Sequence, residues 1–249
     1  MKLYNKEKFK KLPSAILFDT DNTLYAYDMP HKAGMSAVKS KVVGMFSISE
    51  DNFDKSFALA RKDVKKRLEG TAASHSRLLY MQRMMEILGL GSQVLLALDL
   101  EQTYWRTFLS EAVLFDDVKE LLDDCRILAI PAIVVTDLTA QIQLRKLVYF
   151  GLENSFNFVV TSEEAGFDKP HEAPFKIALE KANIKVGDIW MIGDNPVNDI
   201  LGAKKTIQAT TLQKIHSGIS LGIEENQPDG YFKNFIELRN LISDLKNRS

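Results

Sequence analysis

The chain has 249 residues, 45% apolar and 26% charged, and its 32 basic and 33 acidic side chains leave a formal net charge of −1. This suits one large domain or a core with an insertion, and the balanced charge speaks against nucleic acid or an anionic membrane as a partner. A single cysteine, Cys125, excludes an intrachain disulfide framework and fits a reducing compartment. No apolar run reaches signal-peptide or membrane-span length, so the expected location is cytoplasmic.

The lysines at residues 6–11 read as a frayed, solvated terminus. Next comes Ala15-Ile16-Leu17-Phe18, a short apolar run ending at Asp19. Similar runs follow at Ala132–Val135, Phe156–Val160, Ile189–Ile192 and Ile207–Thr210. Runs of this kind are expected as strands covered on both faces. Helical patterns separate them. Val118, Leu121, Leu122 and Cys125 share one face. Ile142, Leu147 and Val148 support a helix stopping at Gly151, and Pro174 opens one that buries Phe175, Ala178, Leu179 and Ala182. The alternation predicts an α/β fold, a doubly wound, Rossmann-like parallel sheet.

From residue 27 to 112 no strand is expected. Leu78, Met81, Met85 and Leu88 fall on one helical face, as do Leu95, Leu98, Trp105 and Phe108, with glycines at 70, 89 and 91 as punctuation. The predicted organisation is therefore a core of residues 1–26 and 113–249 carrying an α-helical insertion of residues 27–112. The methionine stripe reads as bundle core.

Ligands of parallel sheets bind at the carboxyl ends of the strands. Those ends carry Asp19-Thr20-Asp21-Asn22-Thr23, then Thr136-Asp137, then Asp168-Lys169-Pro170, then Gly193-Asp194-Asn195 with Asp199 beyond. Carboxylates so close together raise one another's proton affinity unless a cation joins them. Mg²⁺, which favours oxygen ligands and substrate phosphate, fits such a site. Asp19 could attack phosphorus as a nucleophile, with Asp21 giving and taking protons. Thr136 and the first loop, including Thr20, could hold phosphate oxygens, and Lys169 adds positive charge.

The stretches FDTDNTL, VVTDLT, DKPHEAPF and IGDNPVNDILGA, in this order and each after a strand, resemble the four motifs of the haloacid dehalogenase superfamily. The insertion lies where that superfamily carries its helical C1 cap. The resemblance implies Asp19 as nucleophile and metal ligand, Asp21 as acid–base with its carbonyl on the metal, and Thr23 ordering the loop. It further implies Thr136 on the phosphate, Lys169 steadying both nucleophile and phosphate, Asp194 on magnesium, and Asp199, with Asn195, in support. Two positions depart from the pattern: Asp137 stands where Asn is usual, beside the phosphate, and KPHE replaces KPDP.

The implied activity is Mg²⁺-dependent hydrolysis of a small-molecule phosphomonoester through an aspartyl-phosphate. The chain is similar to the branch that includes N-acylneuraminate-9-phosphatase, phosphoglycolate phosphatase and pyrimidine 5′-nucleotidase. Rival readings are a phosphomutase, a 2-haloacid dehalogenase, against which Asp21 and Asp194 speak, and a non-catalytic binding protein. Tyr25, His31 and Arg77 are candidates for gating the substrate, Arg77 by gripping a carboxylate or second phosphate; the plainer reading leaves Arg77 solvated. The sequence does not fix the substrate or the oligomeric state.

Overall fold

The computed structural model describes residues 1–185 and 187–248. Strands β1 (Lys2–Leu3), β2 (Ala15–Phe18), β3 (Ala132–Thr136), β4 (Phe158–Thr161), β5 (Ile189–Gly193), β6 (Thr210–Lys214) and β7 (Gly230–Phe232) form a seven-stranded sheet. Their order is β1-β7-β6-β5-β2-β3-β4, with only β1 antiparallel to its neighbour. The chain runs outward from β2 through β3 and β4, then returns to the other side of β2 with β5. This reversal opens a crevice at the carboxyl end of β2, flanked by β3 and β5.

Every residue of β2, β3 and β5 is buried, as expected of strands covered on both faces. Two expectations for the sheet need correction. The strand expected at Ile207–Thr210 is instead Thr210–Lys214: Ile207 ends a helix, Gln208 turns left-handed at φ 54°, and the strand follows. Its polar residues disguise it, because their hydrogen bonds are met internally; Thr211, for example, bonds Asp229 through both N–H and hydroxyl. Nor is the amino terminus frayed. β1 pairs with β7, Lys6–Lys8 make a 3₁₀ turn, and Phe9 packs edge-on against Trp190 at 5.4 Å.

The chain divides into two compact units, Met1–Ala26 with Val113–Ser249, and Tyr27–Ala112. The second unit is wholly helical apart from its turns: α1 (Asp28–Phe46), α2 (Glu50–Arg67), α3 (Arg77–Ile87) and α4 (Val94–Glu111). α1 packs on α4 through Gly34, where a Cβ would stand 2.9 Å from the Tyr104 ring. Met81, Met84 and Met85 are fully buried in α3, each stabilising the bundle by roughly 1.5–3 kcal/mol. On α4 the buried face is Ala97, Leu100, Tyr104, Trp105 and Phe108; Leu95 and Leu98 are exposed, contrary to expectation, because the seam runs one position away from them.

In the sheet-bearing unit the helices are α5 (Val118–Ile127), α6 (Ala140–Tyr149), α7 (Ser162–Ala165), α8 (Glu172–Ala182), α9 (Gly202–Ile207) and α10 (Phe235–Lys246). α8 and α9 cover one face of the sheet, where Phe175, Ala178, Ala203 and Ile207 join Leu17, Val135 and Met191 in one core. α8 begins two residues before Pro174, with His171 capping it through the Ala173 N–H. Val118, Leu121, Leu122 and Cys125 are all buried on α5. Among the described residues no helix is long and apolar enough to cross a membrane.

Candidate active site

β2 delivers Asp19 to the crevice, with its N–H bonded to Ile192 O of β5 at 2.9 Å. The chain then turns sharply: Asn22 adopts φ 61°, and the Thr23 and Leu24 N–H groups both return to Thr20 O. The Thr23 hydroxyl donates to Asp19 Oδ2 at 3.1 Å. Lys169 enters from the loop after β4, across a cis bond to Pro170. Its Nζ donates to Asp19 Oδ1 at 2.7 Å, Asp199 Oδ1 at 2.6 Å and Val135 O at 2.8 Å. All three ammonium protons are thus accounted for in a buried site.

Asp199 lies on a π-helical turn, Pro196–Leu201, and its Oδ2 accepts the Asn195 N–H at 3.0 Å. Asn195 opens that turn by accepting the Val197 and Asn198 N–H groups. Asp194, at the end of β5, is half-buried, and its carbonyl accepts the Gln213 amide at 2.7 Å. Asp19, Asp194 and Asp199 each present an oxygen within 4.8 Å of the others, among the described residues the group of acids, histidines and cysteines able to share one ion.

The electrostatics follow from this crowding. Burial, opposed by Lys169 and helped by Asp199, pushes Asp19 up to about 7. Burial together with Asp199 and Asp19 pushes Asp194 up to about 9. Asp199 is raised by burial as well. Lys169 is held well above its ordinary value: burial works against the charge, and Asp19, Asp199 and Asp137 outweigh it. Three acids whose proton affinities are all raised, with oxygen donors converging, fit a hard divalent cation such as Mg²⁺, which would replace those protons.

Thr20 and Thr136 meet through their hydroxyls at 2.7 Å. The Asp137 carboxylate accepts the Lys169 N–H at 2.9 Å, so the acid in place of the usual Asn braces the lysine loop. Burial raises this group too. Thr136 does not cap α6, whose N-cap is Thr139.

The Asp21 carboxylate takes a separate course. Lys146 Nζ donates to its Oδ1 and Oδ2 at 2.7 and 3.0 Å, and the Tyr25 hydroxyl donates to Oδ1. Tyr25 is buried beside Phe150, ring centroids 5.0 Å apart. Lys146 and Gln143 were not anticipated. Gln143 donates to Thr136 Oγ1 at 2.9 Å and to Asp137 O at 2.7 Å. The available signal was a lysine and a glutamine three residues apart on the same side of α6 as Ile142 and Leu147.

His31 and Arg77 lie in the helical unit. Arg77 is half-buried rather than solvated, donating to His75 O at 2.7 Å and to the Tyr27 hydroxyl, with the Tyr104 ring 5.3 Å away. His31 Nδ1 shares a 2.7 Å hydrogen bond with the Tyr104 hydroxyl, and burial followed by the Arg77 charge lowers it to about 4.

The chain is 34% identical over 202 residues to the ribulose-1,5-bisphosphate 5-phosphatase of Halopiger xanaduensis, spanning 81% of this chain and 84% of that protein. It is 26% identical to the glyceraldehyde 3-phosphate phosphatase of Methanocaldococcus jannaschii, over 93% and 97% of the two chains. A solved structure of the HAD-hydrolase YfnB of Bacillus subtilis, bound to magnesium, shares the fold with TM-score 0.69 at 19% identity, over 94% of this chain and 100% of that one. The family model for haloacid dehalogenase-like hydrolases matches residues 16–212, from β2 to the middle of β6 and so across all four loops, and the chain belongs to that family.

Proposed function

We propose that this phosphoric monoester hydrolase is a magnesium-dependent phosphatase that passes the phosphoryl group through Asp19. The observation that carries the reading is Lys169 Nζ bonded to both Asp19 and Asp199, with Asp194 completing the acid group. In this reading Asp19, the carbonyl of Asp21 and Asp194 hold the cation. When bound, it neutralises charge on the carboxylates and the phosphate.

An Asp19 oxygen forms a bond to phosphorus while the ester P–O bond breaks. The electron pair of that bond goes to the leaving oxygen, which takes a proton from the Asp21 carboxyl. A water then gives a proton to Asp21 and bonds phosphorus, and the Asp19–phosphorus bond breaks with its electrons returning to the carboxylate. Lys169, Thr136, Thr20 and the backbone of the Thr136–Asp137 turn hold phosphate oxygens through these steps. The sheet-bearing unit is the catalytic core, and the 27–112 insertion acts as the family's helical cap.

The relatives named above support a small phosphorylated sugar or short-chain metabolite as substrate. Hydrolysis of p-nitrophenyl phosphate tests the reading. Activity should require Mg²⁺, vanish in EDTA and vanish in Asp19→Asn; activity indifferent to all three changes would exclude it.

A further inference from the structure

α6 brings two polar side chains to the site. Gln143 and Lys146 sit one helical turn apart and are both buried, at 1% and 2% exposure. Gln143 fixes Thr136, while Lys146 fixes Asp21 through both carboxylate oxygens. The Lys146 ammonium also lies 5.8 Å from the Tyr25 ring, and Tyr25 binds the same carboxylate. One helix therefore sets the position of a phosphate-loop hydroxyl and of the acid–base side chain together.

Two lysines hold three of the site's carboxylates. Lys169 takes Asp19 and Asp199, whereas Lys146 takes Asp21. The Asp21 side chain is not part of the group of three acids that converge on one ion. A carboxylate two residues from Asp19 could turn toward that group as a further metal ligand. Held by Lys146 and Tyr25, it keeps its oxygens out of that group while staying within electrostatic reach of Asp19 and Asp194. The pair is only part-buried, with the Asp21 side chain 32% exposed, so its net contribution to stability is small. The effect of Lys146 is therefore to be read in turnover.

We propose that Lys146 is the positioning residue for Asp21, and that it sustains proton donation to strongly basic leaving oxygens. This rests on Asp21 being the acid–base group of the reaction proposed above. Esters with good leaving groups need little proton donation, and esters with poor ones depend on it. Displacing Asp21 should therefore penalise poor leaving groups selectively, whereas general damage to the site penalises all esters alike.

Two probes of matched shape separate these cases, p-nitrophenyl phosphate and phenyl phosphate, assayed with Mg²⁺ on the full chain. The readout is the ratio of their kcat/KM values in wild type, Lys146→Met, Asp21→Asn and the double variant. Lys146→Met should raise the ratio about tenfold or more, part of the hundredfold or greater contribution typical of a general acid. The double variant should match Asp21→Asn, since Lys146 acts through that carboxylate. If Lys146→Met does not fold, Lys146→Arg carries the same cycle, with a smaller rise expected in wild type and none in the Asp21→Asn background. Equal loss on both esters, an unchanged ratio, or an undiminished effect in the Asp21→Asn background would overturn the role of Lys146. A wild-type protein that releases phosphate from neither these esters nor an aliphatic sugar phosphate would instead overturn the phosphatase reading itself.

Discussion

Gly193 and Asp199 stand so close that only hydrogen fits between them: a Cβ built on Gly193 would lie 2.5 Å from the Asp199 Cβ and closer still to its carboxyl group. Gly193 ends β5, and the π-helical turn folds Asp199 back over it onto Lys169. Gly193→Ala should push Asp199 off the lysine. The expected outcome is a loss of about 1–3 kcal/mol in stability, the usual effect of overpacking, with activity reduced by at least about tenfold. Denaturant unfolding and p-nitrophenyl phosphate turnover would check both.

Lys169→Met leaves Asp19 and Asp199 buried without their shared cation. Breaking a buried pair from one side destabilises by about 3–5 kcal/mol, and removing a preorganised positive charge slows turnover about a hundredfold or more. Thermal unfolding with and without Mg²⁺ should show that the metal recovers part of the stability and little of the rate.

Proton binding by the acid group links stability to pH. Asp19 at about 7 and Asp194 at about 9 lie above the ordinary 3.8, so the folded chain holds more protons than the unfolded one across that window. Their contribution to stability is full at low pH and falls as pH rises from about 4 through about 9. Mg²⁺ bound there would displace those protons, so it should raise the melting temperature more at pH 8 than at pH 6. Calorimetry in buffers of different ionisation enthalpy should register proton release on metal binding.

Asp137→Asn keeps the acceptor for the Lys169 N–H and removes a part-buried charge. Stability should stay level or rise by up to about 1 kcal/mol, and kcat/KM should remain within about threefold. A large loss would place the carboxylate itself in the chemistry.

Much of this architecture is legible in the sequence. Ala15–Phe18, Ala132–Val135 and Ile189–Ile192 read as strands because they are apolar throughout, and sheets covered on both faces demand that. The acids after them stand out because nothing structural asks for so many at one edge. The rest hides where polar side chains are buried and satisfied within the fold. Thr211 and Gln213 mask β6 for that reason, and Lys146 and Gln143 look like surface positions until the backbone and Asp21 supply their partners. In the insertion, packing against α1 and α3 decides which face of α4 is buried, so spacing alone puts Leu95 and Leu98 on the buried side when they face solvent.

Phosphoryl transfer in this enzyme is proposed to run through Asp19. Its most direct test is borohydride quenching during turnover, followed by mass spectrometry of the peptide containing Asp19. An acyl-phosphate is reduced by borohydride, so the account predicts homoserine at position 19 only when Mg²⁺ and a phosphate ester are present, and none in Asp19→Asn. Turnover with an unmodified Asp19, or reduction at another carboxylate instead, would contradict it.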